Sequence, residues 1–390
     1  MRGSAPSGRG RPTPDQELLL EAGTARPEPA RAAWKAWQAR NRLDDVDPGA
    51  QRLLPLVYRH LEDELAEDPD LGRLRGLYRR SWYRNQIVFR WAGQALESLG
   101  SVGLETIALK GAALSTLYYR DAGARPVHDV DILVRTEQAE AALDALAAEG
   151  WTPVTDVPRR VFLAVRHAEE LARGDGARID LHWNALWQPG RDDDFWDAAA
   201  DLELHGQWTR ALCPSDELLH ACVHGAAWNA VPPVRWVADA LTVLAQAGEA
   251  IDWERLVAQA RARQVTYALA DALGYLAERF RAVVPAGSLE ELRRTRTPLH
   301  ERVGHRAARS APSPTRTLCI VWDRYRRLTT LDTPFRPPRN FVAYARETWG
   351  FDATAGLAGH ATRRLAAHAL RPLRRGLEAL RRTTVRSSHP

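Results

Sequence analysis

The stretch from Ile107 to Arg135, which reads IALKGAALSTLYYRDAGARPVHDVDILVR, constrains the fold more than any other part of the 390-residue chain. Its second half predicts a strand in which Asp129 and Asp131 are separated by one residue. Alternate residues of a strand point to the same side, so both carboxylates should leave one face while Val130 and Ile132 face the core. Two like charges held this close repel each other unless they are neutralised, and a divalent cation is the usual partner.

The first half of the same stretch predicts a turn suited to phosphate. An apolar strand, 104–109, ends at Lys110 and Gly111, and a helix, 112–119, follows. Such a turn presents free backbone N–H groups, which bind phosphate well, although Gly111 is alternatively a turn residue that needs a positive φ. Lys110 is one of only two lysines among 54 basic residues. Because arginine fills the other basic positions, a lysine here favours a site that needs a compact ammonium group. A phosphate-binding turn followed by a metal-binding carboxylate pair indicates nucleotide chemistry.

A third carboxylate is expected on a later strand. Nucleotidyl transfer depends on neutralising charge, and two metal ions held by carboxylates from adjacent strands are the expected arrangement. Asp180, in the segment ARIDLHWNAL, fits because it stands between apolar Ile179 and Leu181. Asp180 and His182 then share the opposite face. The alternative for each of these carboxylates is a solvated strand face or an ordinary salt bridge.

Several other polar residues flank these positions. Arg125 lies on a Gly-containing loop, where a guanidinium would either grip a triphosphate or form a salt bridge to an aspartate. His128 and His182 would ligate metal, orient an acceptor or fill hydrogen-bonding positions. His220 and His224 have i, i+4 spacing, but no glutamate stands between them to act as a general base, so the pair is not a zincin motif.

The motifs LKGAAL, GARPVHDVDILV and IDLHW occur in this order, with a tyrosine pair between the first two. This pattern resembles the bacterial family described as uncharacterised nucleotidyltransferases, within the superfamily typified by DNA polymerase beta. The likeness runs from about residue 53 to residue 280. Two features depart from the wider superfamily. Ala112 stands where a serine commonly contacts phosphate, and Asp129 follows Gly111 by eighteen positions, a longer gap than usual.

The resemblance implies an α+β fold, with a small mixed-sheet nucleotidyltransferase-like catalytic domain flanked by helical segments. It implies a two-metal Mg²⁺ site and NTP as co-substrate, with Asp180, in place of the usual glutamate, helping to deprotonate the acceptor hydroxyl. The catalytic and metal-binding residues that it implies are Asp129, Asp131 and Asp180. The nucleotide-binding residues are Lys110, Gly111, Ala112 and Arg125, and the candidate substrate contacts are His128, His182 and His224.

The predicted reaction is Mg²⁺-dependent transfer of a nucleoside monophosphate from an NTP to a hydroxyl or phosphate acceptor. Members of the family occur near natural-product and cell-surface polysaccharide genes, which implies a small molecule, sugar or modified peptide as acceptor. Two alternatives stay open. One is a non-catalytic nucleotide-binding or scaffold protein with a degenerate site. The other is an RNA-modifying nucleotidyltransferase, although the chain lacks the aromatic-basic strand pattern of an RNA-binding sheet, so nucleic acid is not the favoured partner.

Composition and charge divide the chain into segments. The predicted segments are a disordered arm (1–30), an N-terminal helical segment (31–100), the catalytic domain (101–212), a helical domain (213–285) and a basic Arg-rich region with a terminal helix (286–390). The last segment holds 21 arginines and 8 acidic residues, a net charge of +13. Such a charge attracts anions, so we expect it to help recruit an anionic acceptor. Solvated helix faces in an arginine-rich chain are the alternative.

The sequence predicts a cytoplasmic protein without a membrane span. No apolar run approaches the ~20 residues of a membrane-spanning helix. The first residues, MRGSAPSGRGRPTP, lack the apolar centre of a signal peptide. Three cysteines, Cys213, Cys222 and Cys319, form no CxxC pair, which suits a reducing compartment.

Overall fold

The computed structural model describes residues 11–225, 234–310, 313–330, 337–338 and 340–349. The helices before the first strand are α1 (Pro14–Thr24), α2 (Pro27–Gln38), α3 (Pro48–Gln51), α4 (Leu54–Leu61) and α5 (Leu71–Ser101). Those between strands are α6 (Lys110–Leu114), α7 (Ala139–Ala148), α8 (Arg159–Val165) and α9 (Asp193–Ala198). Those after the last strand are α10 (Pro214–Gly225), α11 (Arg235–Ala247), α12 (Trp253–Ala262), α13 (Thr266–Phe280), α14 (Ala286–Arg294), α15 (Leu299–Ala308), α16 (Pro314–Leu328) and α17 (Phe341–Trp349).

The helices surround a seven-stranded mixed sheet, which confirms the predicted α+β class. Its strands are β1 (Ile107–Leu109), β2 (Val130–Leu133), β3 (Thr152–Pro153), β4 (Ala168–Ala172), β5 (Arg178–His182), β6 (Ala200–Leu204) and β7 (Gln207–Ala211). Their order across the sheet is β3-β4-β5-β2-β1-β7-β6. β2 runs parallel to β5 and antiparallel to β1, and β1 runs parallel to β7. The two strands that carry the predicted carboxylates are therefore neighbours near the centre of the sheet.

Sequence reasoning found the central strands and missed three others. The segment of β4, AEELA, consists of residues that favour helices in isolation. The β6–β7 hairpin begins with the acidic ADLEL, which has low strand propensity, and its turn residues His205 and Gly206 both have positive φ. These strands form because they pair with neighbours in the sheet: β4 pairs with β3 and β5, β6 pairs with β7, and β7 also pairs with β1, which is distant in sequence.

The register of β2 on β5 is fixed by their apolar residues. Asp131 lies opposite Asp180 in this parallel pair. A slip of one residue would turn every side chain of a strand to the other face. It would expose residues that are now fully buried, namely Val130, Ile132, Ile179 and Leu181. The hydrophobic pattern thus holds the two carboxylates side by side.

The N-terminal residues form helices, so the prediction of a disordered arm over 1–30 is wrong from residue 11 onward; residues 1–10 lie outside the described residues. α1 begins with a capping box in which Thr13 and Gln16 bond each other's backbone N–H groups, an arrangement that satisfies free donors at a helix start. Leu19 and Leu20 are fully buried. Proline, glycine and arginine are frequent in this segment, but the short sequence TPDQELLL favours a capped helix and overrides them.

One hydrophobic core runs through several of the predicted segments. It contains Leu19 and Trp34 from the N-terminal helices, Leu109 from the sheet, and Leu219 and Leu269 from α10 and α13. A second core packs the middle of α5 and α7 against the sheet. The helical segments before and after the sheet therefore share an interior.

Part of the basic C-terminal region also belongs to the folded body. Arg324 of α16 is buried and donates from Nε to the carbonyl oxygen of Val165 at 2.9 Å. Arg327 is buried too and donates to Arg263 O at 2.8 Å. Truncation at about residue 285 would therefore remove packed structure. The predicted terminal helix, 361–382, lies outside the described residues.

We predict that Leu20→Ala lowers the free energy of unfolding by about 2–5 kcal/mol, the usual cost of emptying a core leucine site. Val283, which is 86% exposed, supplies the control, because Val283→Ala should change stability by less than about 0.5 kcal/mol. Urea denaturation measures both. Equal, small effects would show that α1 does not pack as described.

Candidate active site

The paired strands β2 and β5 bring Asp131, Asp180 and His182 together on one face of the sheet. One ligand atom from each of the three residues lies within 4.8 Å of the other two. Asp131 and His182 are buried, and Asp180 is half-buried. Two carboxylates and an imidazole at this spacing are a donor set for a divalent cation.

Asp129 does not join this group. It precedes the first residue of β2 and is exposed, so it stands at the outer edge of the site. The sequence predicted the trio Asp129, Asp131 and Asp180, whereas the close group contains His182 as its third member. The difference arises because the strand begins one residue later than the alternation suggested.

Lys110 neutralises Asp131. Lys110 Nζ donates to Asp131 Oδ1 at 2.5 Å, and His182 Nε2 lies 3.1 Å from the same oxygen. Burial by itself would raise the pKa of Asp131, but the Lys110 charge and the His182 contact outweigh it and hold that pKa well below its usual range. Lys110 has φ = 50°, a conformation that side chains other than glycine rarely adopt. The backbone thus bends unusually to aim this ammonium at the carboxylate.

Asp180 takes up a proton where Asp131 stays ionised. Burial, together with the charges of Asp131 and Asp129, raises the pKa of Asp180 to about 8. A carboxyl group with this pKa is mostly protonated, and therefore uncharged, at neutral pH. The residues present therefore fit a divalent cation, because such an ion would restore Asp180 to its charged form and share the charge of Asp131.

Arg125 forms a salt bridge to an aspartate, which is one of the two roles that the sequence left open. Its Nε and Nη2 donate to the two carboxylate oxygens of Asp239 at 2.7 and 2.9 Å. Tyr119 OH donates to the same Asp239 at 2.9 Å. The guanidinium is buried, so its bidentate face is directed at α11 and joins that helix to the sheet. Its predicted role in binding nucleotide is untested, but this geometry assigns it a structural one.

Gly111 is required by close packing. A Cβ at this position would lie 2.9 Å from Arg125 Nη1 and 3.0 Å from Val127 Cγ1, which is closer than side chains tolerate. The positive φ that the turn needs falls on Lys110 instead. Ala112 is fully buried among the residues of the second core, so its side chain packs inward and only its backbone remains for phosphate.

Asn85 of α5 holds the loop before Asp129 and was not identified from the sequence. Its Nδ2 donates to the carbonyl oxygens of Ala122 and Arg125 at 2.6 and 2.7 Å, and Val127 N–H donates to its Oδ1 at 2.8 Å. The side chain is fully buried. The sequence does contain a signal for this residue, because Asn85 is an amide on the apolar face of a long helix, next to Val88 and Phe89.

Neutral histidines surround the carboxylates. Burial, followed by the charge of Lys110, lowers the pKa of His182 and of His224. The rings of His220 and His224 stack with centroids 5.4 Å apart, and His167 meets His182 edge-on at 5.3 Å. Burial and the charges of nearby arginines lower the pKa of His128 to about 4. At neutral pH these imidazoles therefore add hydrogen-bonding groups to the site without adding charge.

The chain matches the family model described as uncharacterised nucleotidyltransferase over residues 49–281. The match covers more than half of the chain, so the protein belongs to this family. That membership supports a role in nucleotidyl transfer. No curated protein matches the chain.

Among solved structures, the chain is similar to an antigenic nucleotidyltransferase-like protein from Paracoccidioides brasiliensis. The two share 14% sequence identity, and the TM-score is 0.32. The match covers 53% of this chain and 95% of the other. A likeness at this level carries no argument about substrates. Within the described residues, every helix is too short or too polar to cross a bilayer.

We predict that Asp180→Asn stabilises the metal-free protein at high pH. The pKa of Asp180 is about 8 in the fold and near 3.9 when unfolded. The folded state therefore binds the extra proton between these values, and its stability falls as the pH rises through that window. In EDTA at pH 9, Asp180→Asn should melt above the wild type, and the difference should shrink toward pH 4.

Asp131→Asn should behave in the opposite way. The depressed pKa of Asp131 contributes stability that is present above its unfolded pKa, and its removal leaves Lys110 half-buried without this partner. Exposed Asp144, which pairs with Arg159, provides the control in Asp144→Asn. An Asp180→Asn protein that is no more stable than the wild type at pH 9 would contradict the charge assignment.

Proposed function

We propose that this protein transfers a nucleoside monophosphate from an NTP to a hydroxyl or phosphate acceptor, with Mg²⁺ as the metal ion. The observation that supports this most is the register that places Asp131 opposite Asp180 with His182 beside them. The family match supports the same class of reaction. The acceptor class that fits is a small molecule, a sugar or a modified peptide.

In this reaction an acceptor oxygen attacks the α-phosphorus, the α–β phosphoanhydride bond breaks and pyrophosphate leaves. Asp131 and Asp180 hold the metal ion, with Asp129 available at the edge of the site. When bound, the ion neutralises the phosphate oxygens and stabilises the leaving pyrophosphate.

Side chains of the protein position the substrates and accept the proton of the acceptor hydroxyl. A carboxylate oxygen of Asp180 accepts the proton of the acceptor hydroxyl. Lys110, at the end of β1, is placed to exchange its contact with Asp131 for one with phosphate. His128 and His224 offer neutral hydrogen-bonding groups for the acceptor.

A non-catalytic nucleotide-binding role is the second candidate, and two observations favour it. Lys110 already neutralises Asp131, which is the charge a metal ion would otherwise balance. Ala112 also lacks the hydroxyl that commonly meets phosphate in the superfamily. In this candidate the site binds nucleotide weakly or without metal, and no pyrophosphate forms.

The proposal predicts that Asp131→Asn and Asp180→Asn each lower transfer by at least about a hundredfold, because metal stabilisation of the transferring group is worth several kcal/mol. Release of labelled pyrophosphate, with radiolabelled NTPs offered to a mixture of small-molecule, sugar and peptide acceptors, measures the rate. Asp144→Asn should keep wild-type activity. Near-wild-type turnover in either site variant would overturn the site assignment, and metal-independent NTP binding without turnover would favour the second candidate.

A further inference from the structure

The long helix α5 carries an exposed face that the proposed reaction does not use. This basic-aromatic face consists of Arg75, Arg79, Trp82, Tyr83 and Arg90. A helix turns by about 100° per residue, so the five side chains lie on one side of α5. The three arginines are exposed, and the two aromatic residues are 47% and 66% exposed.

The aromatic residues of this face do not belong to the interior. The opposite side of α5 packs into the second core through Val88, Ala92 and Leu96, which leaves Trp82 and Tyr83 in solvent between arginines. Tryptophan, tyrosine and arginine are the residues that binding surfaces favour. Their concentration on one side of a rigid helix indicates a surface for a partner.

The charge of the face differs from that of the chain around it. Residues 71–96 contain six arginines and no acidic residue, whereas residues 1–285 together have a net charge of −8. Arg73, outside the face, pairs with Asp44. Within the part of the chain that the structure describes, Arg75, Arg79 and Arg90 form no ion pair with a carboxylate. Such local positive charge attracts a polyanion.

The same helix holds the loop that precedes Asp129. Tyr78 OH donates to Asp121 at 3.0 Å, and Asn85 forms three hydrogen bonds to this loop. Trp82 follows Tyr78 by four positions and precedes Asn85 by three, so the three side chains are neighbours on the helix surface. The basic-aromatic face therefore borders the loop that leads into the candidate site.

Single-stranded nucleic acid matches both components of the face. Its exposed bases stack on aromatic rings, and its phosphates bind guanidinium groups. Side chains four positions apart on a helix are separated by about 6 Å along the axis, so Arg75, Arg79 and Tyr83 form a row that an extended strand can follow.

Other anionic partners match the face less well. A membrane surface requires a helix with an exposed apolar side, and the apolar side of α5 is buried in the second core. An acidic polypeptide pairs with arginines but has no flat base to stack on Trp82 and Tyr83. A duplex keeps its bases stacked on one another, so their flat faces do not reach these rings.

We propose that the basic-aromatic face of α5 binds single-stranded nucleic acid, with bases stacked on Trp82 and Tyr83 and phosphates paired with the three arginines. The aromatic-basic pattern stands on a helix, so a search for an RNA-binding sheet does not find it. The proposal concerns a binding partner and is independent of the transfer reaction, because this face lies outside the group of carboxylates.

The test measures binding of fluorescein-labelled oligouridylate and oligodeoxythymidylate to the full chain by fluorescence anisotropy. Tyr83→Ala should weaken binding by about tenfold, the usual effect of removing an aromatic ring on which a base stacks. Tyr83→Phe keeps the ring and should bind as the wild type does. Arg79→Gln should weaken binding and reduce the slope of log K against log salt concentration by about 0.7, the contribution of one phosphate contact on a single strand.

Arg294 of α14, an exposed arginine that pairs with Glu290, supplies the control. Arg294→Gln should keep wild-type affinity, and thermal melting confirms that each variant is folded. Because residues 286–390 are also basic, crosslinking with an oligonucleotide that contains 5-iodouracil locates the contact. Mass spectrometry should find the adducts on Trp82 or Tyr83.

Unchanged affinity in folded Tyr83→Ala and Arg79→Gln would overturn the proposal, and so would adducts confined to residues 286–390. An equal loss in Arg294→Gln would reduce the binding to general charge attraction and would also overturn it. A duplex that binds as tightly as the single strands would contradict base stacking. Binding of polyglutamate or of phosphatidylglycerol vesicles, with no binding of either oligonucleotide, would assign the face to another class of partner.

Discussion

The parallel pairing of β2 with β5 is the constraint on which the rest of the site depends. It places Asp131 directly opposite Asp180, and the buried residues on either side of each carboxylate hold that register. A strand has only two faces, so the same apolar residues that build the core also direct the acidic residues outward. His182 follows Asp180 by two positions and joins them for the same reason. The site is a consequence of how the sheet is packed.

Charge balance then determines what the site can bind. Lys110 neutralises Asp131 and His182 contacts the same carboxylate, whereas burial and the neighbouring carboxylates raise the pKa of Asp180. It is Asp180, more than Asp131, that needs a cation.

The sequence predicted the parts of the site that are local. The Asp-x-Asp strand, the isolated Asp180 and the mixed sheet could all be identified from alternation and motif order. It could not show that Arg125 would pair with Asp239, 114 residues away, or that Lys110 would reach Asp131, because such contacts depend on tertiary packing. Composition misled the prediction for the N-terminus, where TPDQELLL forms a capped helix within a segment rich in proline and arginine.

The central claim is that Asp180 and the residues around it bind a divalent cation, and that a bound NTP increases the affinity for this cation. Mn²⁺ reports on this directly, since it accepts the same oxygen ligands as Mg²⁺ and its paramagnetic signal changes when it binds protein. The measurement is an electron paramagnetic resonance titration of Mn²⁺ into the metal-free protein, with and without a non-hydrolysable NTP. The account predicts that Mn²⁺ binds to the protein, that the NTP analogue strengthens this binding, and that Asp180→Asn abolishes it. Absence of bound Mn²⁺ at millimolar concentration, with the analogue present, would contradict it.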